Sequence, residues 1–405
     1  MAGRISTAFF NTVGVLEILR SQEQLSTTQL QIATGKRILQ PEFDPAGAAQ
    51  ALDLREFIRE NESFQNNITF VKTRNQLEET VLVGTKNLLQ RVKELSVQAA
   101  TVTADGPQRF AIAKEIEQLN DELFNIANTK DANNEFLFSG SLGNTQPFTD
   151  NNNGSFTYNG DQTVREIQIG STRRIDDGNT GAEVFFDVAN GNGVFQTAPG
   201  AGNTGAGVID SGSVTNAGAF PNDTFTLTFA VDGGGNPVIN VVGAVTGAVV
   251  TNQPFNGVQA SVSFNGVQVN ISGSAATGDT FTIAPSTNQD IFTTLSTYQS
   301  ALENFAQNGD QVAFGNASNR AFADFDQALT HILNIRSTVG ARLNAADTQT
   351  DINADFLLQI QASLSDVEDL DIAEAASRLN LQTVALQAAQ QSFIKVQNLS
   401  LFNFL

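Results

Sequence analysis

The stretch TGKRILQPEFDPAGAA, residues 34–49, stops one helix and starts another. Upstream of it Ile18, Leu25, Ile32 and Leu39 recur every seven residues, the spacing of one row along a coiled-coil-like face. Gly35 then offers a left-handed C-terminal cap, and Pro41 and Pro45 break the pattern. Asp44 stands where an N-cap belongs and Pro45 where a first helical residue belongs, so a second helix is predicted to open there. No proline follows between Ala46 and Gly106. Phe57, Phe64 and Val71 form one seven-spaced row, and Val81, Leu88 and Leu95 form another. A helix over 45–103 would be about 88 Å long at 1.5 Å per residue. A third helix is predicted from Pro107 to about Asn128, turning back through Asp105-Gly106-Pro107 as an antiparallel hairpin.

Beyond residue 140 the chemistry changes. Residues 141–290 hold 23 of the 33 glycines, and no Lys or Arg occurs between Arg174 and Arg320, which marks a domain boundary on each side. Apolar and polar residues now alternate. Val262 and Phe264 precede Asn265-Gly266, and Val267, Val269 and Ile271 follow, which predicts a β-hairpin with its turn at Asn-Gly. FNGVQ occurs twice (255–259 and 264–268), and NDTFTL (222–227) is echoed by GDTFTI (278–283), repeated hairpin chemistry too short for a solenoid. After 290 the helical period returns: Ile372, Leu379, Leu386 and Phe393 are seven apart. Ser365/Glu368 and Asp371/Glu374 each have capping-box spacing, so the acidic cluster there reads as a solvated helix start or an interrupted turn, not as paired catalytic carboxylates. The predicted class is α+β: an elongated helical bundle or coiled-coil rod built from both ends of the chain, with an inserted β-rich domain.

The totals exclude several functions. Lys+Arg 22 against Asp+Glu 42 gives a net charge of −20, which disfavours nucleic acid and anionic membranes as partners. With no cysteine there can be neither disulfides nor thiolate zinc sites. The opening MAGRISTAFFNTVGVLEILRSQ has no continuous apolar stretch and no cleavage pattern, so no secretory signal peptide is expected. His331 is the single histidine, which rules out a two-histidine metal site within one chain, and it reads as an ordinary packed or surface side chain. Gly200, Gly202 and Gly205 fit GxGxxG, but neither a preceding strand nor a following helix is predicted around them. DNNNGSFTYNGD (150–161) resembles a calcium loop, yet Gly154 takes the fifth ligand place and Asp161 the twelfth, so a surface turn is expected. No catalytic residue, cofactor site or metal site is predicted, and the protein reads as a non-enzyme.

Both ends are apolar-striped helices. Two lone helices cannot cover each other on every face, so the balance of chain entropy against burial favours order once many copies pack side by side. The other reading is an intramolecular hairpin of the two terminal helices closing one bundle. Periodicity leaves the two even.

Other residues go further. MAGRIST (1–7), TGKRILQPEFDPAG (34–47), NEFLFSG (134–140) and the closing LSLFNFL (399–405) resemble the bacterial flagellin superfamily, over roughly 1–175 and 278–405. TYNGDQTVREIQIG (157–170) and the ending SLFNFL point to its hook–filament junction branch, whereas ILQPEFDP departs from the Ser-Ala-x-Asp-type stretch more common in flagellins. The resemblance implies terminal assembly helices over 1–40 and 369–405, helical segments over 41–140 and 291–368, and a β-rich outer domain over 141–290. It implies polymerisation with identical copies, contact with hook-associated protein 1 and with flagellin, and an export chaperone before secretion through the flagellar apparatus without signal cleavage. The expected location is the extracellular flagellum. Ile18, Leu25, Ile32, Leu379, Leu386, Phe393, Leu401 and Phe402 are the residues expected to pack the inner tube. A minor flagellin of the filament is the nearest alternative, and an adhesive, carbohydrate-binding module a more distant one.

Overall fold

The structure, a computed structural model, describes residues 7–101 and 103–398. Three helices open the chain: α1 (Thr7–Thr34), α2 (Pro45–Ala100) and α3 (Gly106–Ala127). Three more close it: α4 (Ile291–Asn308), α5 (Gln311–Glu368) and α6 (Ile372–Asn398). The chain divides into two compact units, one of Met1–Asn66 with Gln349–Leu405 and one of Asn67–Thr348, and α2 and α5 contribute residues to both.

The breaks fall where side-chain chemistry puts them. Gly35 takes φ +71° after the last residue of α1. The Asp44 carboxylate accepts the Gly47 N–H at 2.9 Å and opens α2 on Pro45. Asp105 accepts the Gln108 N–H at 2.9 Å and opens α3 in the same way. These caps satisfy donors that the first turn of a helix leaves without partners.

In the unit Asn67–Thr348, α2, α3, α4 and α5 share one apolar core. Val81, Leu88 and Leu95, the second predicted row of α2, all lie in it, with Ile116 and Leu123 of α3, Leu295 and Leu302 of α4, and Phe325 and Ile332 of α5. The first row does not hold together, since Val71 is buried while Phe57 is half exposed; tertiary cover, not period, decides burial along so long a helix. The α2–α3 hairpin is fastened by Arg91–Glu115 (2.7 Å) and by the buried Arg109, which donates from Nε to Ala99 O at 2.9 Å. The Arg109 guanidinium also lies 3.8 Å from the centre of the Phe305 ring, a cation–π contact.

The insertion begins with two short hairpins, β1 (Phe148–Asp150) with β2 (Phe156–Tyr158) and β3 (Glu166–Gln168) with β4 (Arg174–Asp176), followed by β5 (Val188–Ala189). Next come β6 (Phe195–Pro199), β7 (Val208–Ile209), β8 (Ser213–Val214), β9 (Phe225–Val231), β10 (Pro237–Gly243), β11 (Gly247–Pro254), β12 (Gln259–Phe264), β13 (Val267–Ser272) and β14 (Thr280–Pro285). β15 (Asn288–Gln289) returns to pair with β5. One sheet runs β11-β10-β9-β14-β6 and the other β12-β13-β7, with β8 also on β13; they close over one core that includes Phe225, Leu227, Val262 and Val269. The predicted hairpin is present: Phe264 pairs with Val267 across a turn whose Asn265 (φ 43°) and Gly266 (φ 76°) are both left-handed. The echoed segments lie side by side, with Phe225 opposite Ile283 and Leu227 opposite Phe281 in antiparallel strands. The first FNGVQ makes no hairpin: Asn256 Oδ1 accepts the Val258 and Gln259 N–H groups in a turn between β11 and β12, which belong to different sheets.

Candidate assembly surface

Within the unit Met1–Asn66 with Gln349–Leu405, α1 and α6 run antiparallel against each other. Gly14 packs on the Phe393 ring at one level, and Arg378 Nη2 donates to Gln31 Oε1 at 3.3 Å at another. Between them the six described residues expected in the inner tube, Ile18, Leu25, Ile32, Leu379, Leu386 and Phe393, are half-buried. Buried Ala375 and Thr28 continue the covered face. Leu401 and Phe402 lie outside the described residues.

Both connections to this hairpin pass through one joint. Leu370 donates its N–H to Gly35 O at 3.0 Å, and Arg37 donates its own to Glu368 O at 2.8 Å. The Arg37 guanidinium reaches Val367 O at 2.7 Å, satisfying a carbonyl that the end of α5 leaves open, and pairs with Asp44 Oδ2 at 3.2 Å. Lys36 Nζ meets Asp369 at 2.7 Å and Glu368 at 3.5 Å, and Arg55 adds a further bond to Glu368. The hydrogen bond from Lys36 holds the Asp369 carboxyl below the usual carboxylate range, and the same bond raises the Lys36 ammonium. Asp44 is also lowered, first by the Gly47 N–H.

Two expectations need correction here. Ser365 does not begin a helix: it sits in the last turn of α5, where its Oγ donates to Asp369 Oδ2 at 2.6 Å. The second spacing does start one, because Asp371 Oδ1 accepts the Ala373 (2.9 Å) and Glu374 (3.1 Å) N–H groups. Leu39 leaves the α1 row, since the helix ends at Thr34, and lines a groove with Ile38, Ala48 and Leu52.

The seven-spaced rows are not the whole apolar surface. Phe9 (65% exposed), Val13, Leu16, Leu19 and Leu30 on α1 stand open, as do Ile372, Leu381 (70%), Val384 and Ile394 on α6. A helix apolar on more than one face needs cover on more than one face. All of these but Ile372, which opens the α6 row, lie off the rows, where a search for a single period passes them over. None of the described helices is long and apolar enough to cross a membrane.

The other motifs resolve as scaffold. His331 Nε2 lies 2.7 Å from Glu183 O. A strand, β6, does precede Gly200, Gly202 and Gly205, but no helix follows, and the Gly205 N–H is bound at 3.1 Å by the Asp279 carboxylate. Residues 151–155 turn between β1 and β2, and Asp161 accepts the Ser141 N–H at 2.7 Å. Among the described residues no group of three or more His, Asp or Glu side chains gathers to hold a metal ion.

Terminal helices that pack together from opposite ends of the chain, with a β-rich insertion between, define a class of α+β structural proteins whose two chain ends fold as one helical hairpin. The family model of the bacterial flagellin N-terminal helical region matches residues 5–142, and that of the C-terminal helical region matches 323–405. Flagellar hook-associated protein 3 of Escherichia coli K12 is 24% identical over 399 residues, 98% of each chain. Two solved structures from Legionella pneumophila are each 34% identical. Flagellar hook-associated protein 3 has a TM-score of 0.74 over 78% of this chain and 98% of that one. The flagellar junction protein FlgL has a TM-score of 0.71 over 79% and 99%. The chain belongs to the bacterial flagellin family, on its hook-associated protein 3 branch.

Proposed function

We propose that this chain is a structural junction subunit of the bacterial flagellum, joining the hook, through hook-associated protein 1, to the flagellin filament. It polymerises in the flagellar tube through α1 and α6. The observation that carries this is the open apolar face of the α1–α6 hairpin, unsuited to water and suited to copies of itself and to kindred subunits. Ile18, Leu25, Ile32, Leu379, Leu386 and Phe393 hold the hairpin together, and Leu401 and Phe402 extend the packing surface to neighbours. Segments 1–40 and 369–405 act as the assembly helices, 41–140 and 291–368 as the helical support, and 141–290 as the outward domain. Before export without signal cleavage, a chaperone covers the same apolar faces in the cytoplasm.

Deletion of 395–405 is the test. The expected result is loss of filament attachment, with flagellin shed into the medium and 45–365 still folded by circular dichroism. Normal motility from that deletion would overturn the proposal. Immunogold label restricted to the filament base separates a junction subunit from a minor flagellin, which would label the whole length.

A further inference from the structure

Glu78 lies on α2 where the helix meets the 176–183 loop and α5. Its side chain is fully buried, and neither carboxyl oxygen has a hydrogen-bond partner. A carboxylate so placed needs a cation, and each cation facing it is committed elsewhere. On α2, Arg74 binds Asp131 at 2.6 Å and faces Asp177 at 3.4 Å. On α5, Arg342 donates to Asn179 Oδ1 at 2.5 Å and to Asp176 Oδ2 at 3.0 Å. Of the loop's acids, Glu183 raises the Glu78 carboxyl further, while Asp176 is paired with Arg342 and Asp177 with Arg74 and Arg165; His331 of α5 is occupied with Glu183 O. The backbone of Gly178 closes on the carboxyl, and the Asn179 N–H is turned toward it without completing a hydrogen bond.

We propose that Glu78 is a proton-binding site: the folded protein holds this carboxyl as the neutral acid, and the bound proton lets the 176–183 loop close on α2 and α5. Burial, only partly offset by Arg342, pushes the carboxyl up to about 8 from an unfolded value of 4.5. Unfolding between those values therefore releases a proton. The stability the site contributes is complete below 4.5 and is lost as pH rises toward about 8. Acidification tightens this joint, and alkali loosens it.

The test uses the full chain and its Glu78→Gln variant, which carries a neutral side chain at every pH. Calorimetric unfolding near roughly pH 6, in buffers of different ionisation enthalpy, reads proton release directly. The wild-type chain is expected to release about one proton more than the variant. From roughly pH 5.5 to 8.5 its Tm should fall further than the variant's, by on the order of 5 °C. If Glu78→Gln does not fold, Glu78→Leu supplies the same comparison. Equal proton release and parallel pH profiles would overturn the assignment, because an ionised Glu78 contributes neither signal.

Discussion

Gly14 and Phe393, 379 residues apart in sequence, are in contact: a Cβ built on Gly14 would lie 2.9 Å from Phe393 Cδ2. The glycine lets α1 approach α6 closely at this level, at a cost of roughly 0.5–1 kcal/mol in helix propensity relative to alanine. Gly14→Val should therefore weaken the hairpin, whereas Gly14→Ala, where propensity offsets a contact that a small ring shift relieves, should be near neutral. Gly14→Val combined with Phe393→Ala should recover part of the loss. A double-mutant cycle on polymerisation measures that coupling, and additive effects would show the two residues to be independent.

The seam and the open face make different predictions. Leu386→Ala removes half-buried surface from the α1–α6 contact and should destabilise the hairpin by about 1–2 kcal/mol. Leu381→Ser and Val384→Ser sit on the exposed face and should leave monomer stability within about 0.5 kcal/mol while abolishing attachment of the filament. Protease protection of the isolated chain reports the first effect and motility the second. Full motility in the Leu381/Val384 double variant would remove this face from the assembly surface.

At the joint, Arg37→Ala strips the guanidinium from Val367 O and from Asp44, and should cost about 1–2 kcal/mol. Limited proteolysis should then cut between 365 and 371 with little change in the β domain. The Lys36–Asp369 pair is a weaker matter, since both side chains are nearly half exposed and such pairs contribute at most about 1 kcal/mol. Because Asp369 is lowered and Lys36 raised, the pair's contribution is present between the unfolded values of 3.8 and 10.5. It is lost as pH falls through the folded Asp369 value or climbs through the folded Lys36 value. Lys36→Met should flatten the dependence of joint protection on salt.

What the sequence disclosed was local chemistry. Asp44-Pro45, Asp105 and Asn265-Gly266 act through bonds spanning two to four residues, so a short window contains the whole cause. The α+β division followed from composition and period for the same reason. What stayed hidden was non-local. Nothing in NDTFTL and GDTFTI says that they pair with each other, and nothing in Glu78 says that its carboxyl oxygens are buried without a hydrogen-bond partner. Ser365 was misleading because a capping-box spacing is the same whether a helix starts or ends there. On the α1–α6 hairpin, the period located most of the seam between the two helices, while Phe9, Leu381 and Val384 required the partner helix to be in place before their exposure could be seen.

The β domain supplies the last prediction, because it separates folding from assembly. Gly266 takes φ 76° in the β12–β13 turn, and a Cβ there would lie 2.1 Å from Asn216 O, a backbone atom of the residue that caps the 3-10 turn at Ala217–Ala219 and whose own N–H donates to Gly266 O at 3.1 Å. Gly266→Ala should therefore cost well over 1 kcal/mol, from the left-handed backbone and from the clash together. The loss should fall on the sheet that holds Val262, Val267 and Val269, whose core is distinct from that of the helices in the same unit. Thermal unfolding should split into an early β transition and an unchanged helical one. Since α1 and α6 contain none of these residues, filament attachment should survive at growth temperature. A Gly266→Ala strain that sheds its filaments would mean that the insertion takes part in joining neighbours, and that the terminal helices alone do not make the junction.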